Sequence, residues 1–198
     1  MICITLTPAL YAQESVGNSN LTLGIGTTIP TGSESFTSDP TFVSPYLMYE
    51  YFVMDDLSLG LSLGYRYSKE DGQTRDHING DLIDGYSERK LTQLPIQIQA
   101  RYYPVHWGRH KNWSAYVTIA GGIQFNKYFL VGDQIHRSKH EKWTGVFTPD
   151  VGVRFNPVNC KIYLDARLSW GMNKGWEMTT DKTQQNLGVH IGVGMKIF

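Results

Sequence analysis

Between Leu57 and Ser68 the chain reads LSLGLSLGYRYS. Successive side chains of an extended strand leave opposite faces. This run therefore has one face of Leu57, Leu59, Leu61, Leu63, Tyr65 and Tyr67, and another of Ser, Gly and Arg66. A helix would scatter the same residues around its circumference. The 3.6-residue spacing of an amphipathic helix is hard to find elsewhere in the 198 residues.

Seven further segments repeat the pattern. Apolar positions alternate from Leu21 to Ile29, Val43 to Val53, Leu94 to Tyr102, Trp113 to Phe125, Trp143 to Phe155, Ile162 to Trp170 and Leu187 to Ile197. None of these positions is charged, although 18% of the chain is. The opposite parity collects Glu50, Arg66, Arg101, Asp150, Arg154, Asp165, Arg167 and Lys196. Short links at 54–56, 104–112 and 156–161 alternate with long polar stretches that include Lys69–Gly85, Tyr128–Lys142 and Asn173–Gln185. The expected fold is all-β, an eight-stranded antiparallel up-and-down barrel. Two extra short strands within Lys69–Gly85 are compatible with the pattern.

Alternation alone fits a lipocalin-like soluble carrier, greasy inside, or a transmembrane barrel, greasy outside. Volume separates them. An eight-stranded barrel has room inside for little more than its own side chains, and the apolar set, with its Trp, Tyr and Phe, would overfill it. The other face is rich in glycine, at positions such as Gly24, Gly60, Gly122, Gly152 and Gly194. The greasy face is therefore expected outside, against outer-membrane lipid, where a Lys or Arg at midplane costs about 2–4 kcal/mol. Aromatics suit two interfacial girdles. Tyr51, Phe52, Tyr102, Tyr103, Trp113 and Phe155 lie toward the short turns; Tyr65, Tyr67, Phe125, Trp143 and Trp170 lie toward the long loops. Pro45, Pro95 and Pro149 fall inside strands, where each removes a ladder hydrogen bond, and bulges are expected there.

Residues 1–12 (MICITLTPALYA) read as the remnant of a secretory signal cut before Gln13, although no Lys or Arg precedes the apolar stretch. Residues 13–198 then form a single barrel domain. Cys160 is left without an intrachain partner, as a small inert side chain at a turn. Lys plus Arg number 18 and Asp plus Glu 18, which removes the basic face a nucleic-acid binder needs.

The segment LPIQIQARYYP at Leu94–Pro104 resembles a Pro-apolar-Arg-Tyr-Tyr strand of the outer-membrane β-barrel domain family common in Bacteroidetes, which includes PorT-like and OmpA-like small barrels. The terminal LGVHIGVGMKIF resembles the closing strand of such barrels. The resemblance implies an integral outer-membrane protein whose last aromatic is read by the barrel-assembly machinery. Phe198 departs from it by having inward parity.

The inward charges are expected to pair as a salt-bridged plug, since buried charges persist only when paired. A water-filled pore past Arg66, Arg154 and Arg167 is the alternative. A lipid-modifying enzyme would need a nucleophile and a base in contact; Ser62, Ser114 and Ser169 point inward, but no Ser–His–acid spacing stands out. His136, His140 and Glu141, and His106 and His110, sit in expected loops or turns as solvated side chains. His190 is expected as an interior histidine with its hydrogen bonds met. No cofactor, metal site or catalytic residue is expected. Recognition, for a ligand the sequence does not specify, falls to the long loops.

Overall fold

The computed structural model describes residues 16–31, 40–41, 43–78, 81–109, 111–132, 135–174 and 183–197. They form nine strand segments: β1 (Ser19–Pro30), β2 (Tyr46–Met54), β3 (Leu57–Gly64), β4 (Arg66–Ile78), β5 (Asp81–Trp107), β6 (Trp113–Gly132), β7 (Ile135–Phe155), β8 (Ile162–Lys174) and β9 (Thr183–Lys196). All neighbours pair antiparallel. β1 bonds to both β2 and β9, and β3 bonds across to β5, so the ladder runs β1-β2-β3-β5-β6-β7-β8-β9 and back to β1. β4 continues β3 beyond Tyr65 and pairs with β5. The wall is thus an eight-stranded closed barrel.

The greasy face is outside. Leu23, Ile25, Ile98, Ile119, Leu164, Ile191 and the rest of the apolar parity are exposed, while Glu50, Arg101 and Arg154 are fully buried. The aromatic girdles frame this belt. Trp113 pairs with Phe155 at one level and Phe125 with Trp143 at the other, each pair in direct cross-strand register with its rings 4.7 and 5.2 Å apart. Twelve residue steps separate the two levels on β6 and on β7. At about 3.4 Å per residue and a strand tilt near 45°, that is roughly 29 Å of height, a bilayer's hydrocarbon thickness. Tyr51, Tyr65, Tyr67, Tyr102 and Trp170 are exposed in the same belts. Phe52 and Tyr103 are not girdle residues. Their parity turns them inward, where they pack with Tyr116 as a buried aromatic cluster.

Two expected loops are hairpins. β4 and β5 stay paired from Arg66↔Gln93 to Ile78↔Asp81, and β6 and β7 stay paired up to Gly132↔Ile135. Ladder pairing between β5 and β6 reaches Ser87↔Gly132. A spanning strand needs about 9–11 residues, whereas β5 has 27. The surplus projects beyond the barrel as a four-stranded sheet, β4 to β7. Polar residues in Lys69–Gly85 do not mark irregular backbone, because the ladder holds β4 to β5 from Arg66 to Ile78.

The prolines act differently from expectation. β3–β5 pairing stops at Leu63↔Ile96 and β4–β5 pairing resumes at Arg66↔Gln93, around Pro95, in unbroken register. β7–β8 pairing skips Pro149 in the same way, from Phe147↔Met172 to Asp150↔Ser169. Each proline omits bonds on one side without adding a residue. Pro45 lies just before β2 and accepts from the Tyr65 N–H. The register shifts fall at Phe52/Met54, Tyr102/Val105 and Leu130/Gly132. Cys160 is a free thiol in the β7–β8 turn. Residues 1–15, with the cleavage point, and Phe198 lie outside the described residues.

Ile119 is midway between Trp113 and Phe125 and 62% exposed. Ile119→Arg should lower unfolding free energy in lipid vesicles by about 2–4 kcal/mol, against about 0–1 for Leu94→Arg at the girdle. Chemical denaturation of the refolded barrel reads both.

Candidate functional site

The inward face of each strand supplies the lumen. Glycines on one strand lie beneath large rings on the next: Gly24 opposite Tyr46, Gly152 opposite Tyr116, Gly194 opposite Tyr163 and Gly26 opposite His190. At Gly152 and Gly194 the tyrosine ring occupies the space a Cβ would need. Only glycine lets these rings lie flat in so narrow a barrel.

The rings in turn carry arginines. Arg101 lies over Tyr116 with 3.9 Å to the ring centroid, Arg154 over Tyr163 at 4.2 Å and Arg167 over Tyr46 at 4.2 Å. Desolvated cation–π contacts of this kind are worth about 2 kcal/mol. Two carboxylates then close a square. Glu50 pairs with Arg101 at 3.3 Å and, more closely, with Arg154. Asp165 pairs with Arg101 at 3.5 Å and with Arg154 at 3.6 Å.

Neutral donors complete the carboxylates: Ser58 Oγ and Tyr103 OH donate to Glu50 Oε1 at 3.1 and 3.2 Å, and Tyr116 OH donates to Asp165 Oδ1 at 2.8 Å. Arg101 Nε donates to Thr118 Oγ1 at 2.9 Å. All four charged members of the square are buried, at 2% exposure or less. They span β2, β5, β7 and β8, and so cross the lumen from wall to wall.

Above the square, Arg167 reaches Asp150 at 3.6 Å. Ser169 Oγ and His190 Nε2 are 2.9 Å apart, with Tyr46 edge-on to the imidazole. His190 Nδ1 has no partner, so its hydrogen-bonding capacity is only half met. Arg66 is buried nearby, beside the same cavity as Arg167. Higher still lies an amide cluster, where Gln93 Nε2 donates to Asn126 Oδ1 at 3.1 Å and Asn126 Nδ2 donates to Thr144 Oγ1 at 2.8 Å. Lys196 is half-buried at the short-turn end.

One arrangement escaped the sequence. His106 Nδ1 is 2.8 Å from Ser114 Oγ, and His106 Nε2 is 3.0 Å from Asp56 Oδ1. With Nε2–H donated to Asp56, Nδ1 accepts from the serine hydroxyl. Residues 106 and 114 are register partners across the β5–β6 turn, so that hairpin's register was the available signal. Asp56 comes from the β2–β3 turn, fifty residues away. Ser114 is 2% exposed, and the line ties two neighbouring turns together. Among the described residues no group of three or more His, Cys, Asp or Glu could hold a metal. His110 and the side chains of His136 and His140 lie outside the described set.

Glu50→Gln leaves two buried guanidiniums with one carboxylate. It should cost about 3–5 kcal/mol, and adding Arg154→Met should recover a substantial part, since losing one partner of a buried pair is worse than losing both. Thermal unfolding of the two variants checks this.

No protein-family model matches the chain, and no curated protein does. Solved structures do. OprG of Pseudomonas aeruginosa superposes with a TM-score of 0.59 at 15% identity, over 93% of this chain and 97% of its own. Ail of Yersinia pestis gives 0.58 at 11%, over 92% and 99%. Neisserial surface protein A gives 0.57 at 13%, over 89% and 96%. The fold is that of an integral outer-membrane β-barrel, and the apolar belt is the surface such a barrel presents to lipid.

Proposed function

We propose that the protein is an integral bacterial outer-membrane barrel that does not conduct, and that it offers its projecting sheet for recognition outside the cell. The observation that carries this reading is the buried square of Glu50, Arg101, Arg154 and Asp165. It fills the cross-section with matched charge and stacked rings, which leaves ions no continuous water column.

The Arg-Tyr-Tyr motif that suggests a Bacteroidetes barrel has structural work in this setting. Arg101 enters the square, Tyr102 faces lipid and Tyr103 donates to Glu50. Its neighbours in the bilayer are outer-membrane lipids, and the barrel-assembly machinery is its partner during insertion. We read it as non-enzymatic: the Ser114 hydroxyl of the Ser–His–Asp line is 2% exposed, and the Ser169–His190 pair has no carboxylate on His190 Nδ1 to orient it as a base. Where the sheet leaves the membrane, Glu88 accepts from Lys69 at 2.8 Å and from Lys90 at 2.9 Å. These ammonium groups hold its carboxyl below the usual range. Lys69 and Lys90 face each other across the ladder, and Glu88 offsets their repulsion.

Refolded wild-type barrel in a planar lipid bilayer should give no steady unitary current, and Arg154→Ser with Arg167→Ser should open small channels. Steady current through the wild type would reject the plug. A second outcome concerns the sheet: replacing 70–88 with a tight turn should leave the barrel's melting temperature within a few degrees, because the ring of strands closes below Tyr65 without it. Heat-modifiability on gels reads folding directly.

A further inference from the structure

The square leaves the lumen's charge uneven. Glu50 and Asp165 are both engaged by Arg101 and Arg154. Among the described luminal side chains, Asp150 is then the one carboxylate left for two guanidiniums, Arg167 and Arg66. It pairs with Arg167 at 3.6 Å. Arg66 is 8% exposed, and neither an ion pair, a side-chain hydrogen bond nor an aromatic ring supports it. Its Nη1 is buried without a partner. A guanidinium does not relieve burial by losing its proton, because it stays charged at any ordinary pH. An uncompensated charge in such a place is costly.

The same cavity gathers other donors without acceptors. Arg66 and Arg167 line it together with Tyr46, Gln99, Asp150 and His190. Arg167 Nε, Gln99 Nε2 and Tyr46 OH are each buried and unpartnered, as is Arg66 Nη1. Arg66 Nη1, Arg167 Nε and Gln99 Nε2, from three strands, are thus unpartnered donors on residues that line one cavity, while the Tyr46 hydroxyl lies against Gly192. Asp150 Oδ1, also unpartnered, reduces the net charge of the three ionised groups to one positive. The cavity is partly open and has about 40 Å³ of room for water centres. That is space for roughly three waters, or for one compact anion.

We propose that this cavity is a binding site for a small oxyanion of the carboxylate or phosphate class. Arg66 supplies the charge that is otherwise unmatched. Arg167 and Gln99 supply further N–H donors, and charge-assisted bonds from guanidinium to oxyanion are the strong members of such a set. The site lies on the long-hairpin side of the charge square, between it and the amide cluster of Gln93, Asn126 and Thr144, and Leu63 and Tyr65 of the barrel wall belong to its lining. Its occupancy would fix β4, the strand that carries Arg66 out into the projecting sheet.

The test is thermal unfolding of the refolded barrel in a non-ionic maltoside detergent, which carries no phosphate. Acetate or inorganic phosphate is titrated at constant ionic strength against sodium chloride. An anion that binds the folded form alone raises the melting temperature with its concentration, by about 5–10 °C at a hundredfold excess over half-saturation. Arg66→Gln should abolish the rise and should melt no lower than wild type in chloride, since it removes an unmatched buried charge. Arg66→Lys keeps the charge but loses the planar fork, and should raise the half-saturating concentration about tenfold; it serves if Arg66→Gln does not refold. A flat wild-type titration with both anions overturns the proposal, as does a rise that survives in Arg66→Gln. Short-chain phosphatidylglycerol is the third arm. A rise with that lipid and none with the free anions would place the binding on the lipid-facing surface and overturn the luminal site.

Discussion

Hydrocarbon offers no hydrogen bonds, and the rest of this molecule follows from that. Every backbone N–H and C=O in the belt needs a protein partner, so the sheet closes on itself. With eight strands the closure leaves a lumen too narrow for a core of large apolar side chains and too dry for isolated charges. Glycine, tyrosine and arginine then become interdependent. Gly152 makes room for Tyr116, whose ring supports Arg101; Gly194 makes room for Tyr163, whose ring supports Arg154. Glu50 and Asp165 lock the two guanidiniums together. The polar interior is as densely specified as an apolar core, with stacking and ion pairing in the place of burial of methyl groups.

Much of the fold could be read from the sequence because the side-chain period of a strand is two and lipid tolerates no charge. Those constraints place every Leu of LSLGLSLG and every inward Arg on the correct side. The same parity puts Phe52 and Tyr103 inside, so placing them in the girdle from their position near strand ends was wrong. Composition was a poorer guide to the long polar stretches. Lys69–Gly85 lacks a greasy face, yet its backbone stays paired with β5 from Arg66 to Ile78, so alternation reports burial rather than extension. The prolines were misjudged for a related reason. A missing N–H interrupts one ladder, but a bulge needs an extra residue, and Pro95 and Pro149 add none.

The site was legible as a set of charges and not as a geometry. Parity brings Glu50, Arg101, Arg154 and Asp165 into the lumen, but nothing in their spacing gives their heights along the barrel. Height depends on the stagger between strands, which the turns set. The same ignorance hid the Asp56–His106–Ser114 line: two of its members are cross-strand partners, and the third arrives on another turn. Pairing across a closed barrel is a property of the ring as a whole, and no single hairpin encodes it.

Arg66 separates the two halves of the lumen in physical character. Arg101, Arg154 and Arg167 each have a tyrosine beneath them and a carboxylate beside them, and the first two pairs lie where the barrel is sealed. Arg66 has neither, and it stands where β3 gives way to β4 at the gap opposite Pro95. The sealed half of the barrel explains its own arginines through stacking and pairing. The open half does not, and an anionic ligand supplies the partner that the chain itself withholds.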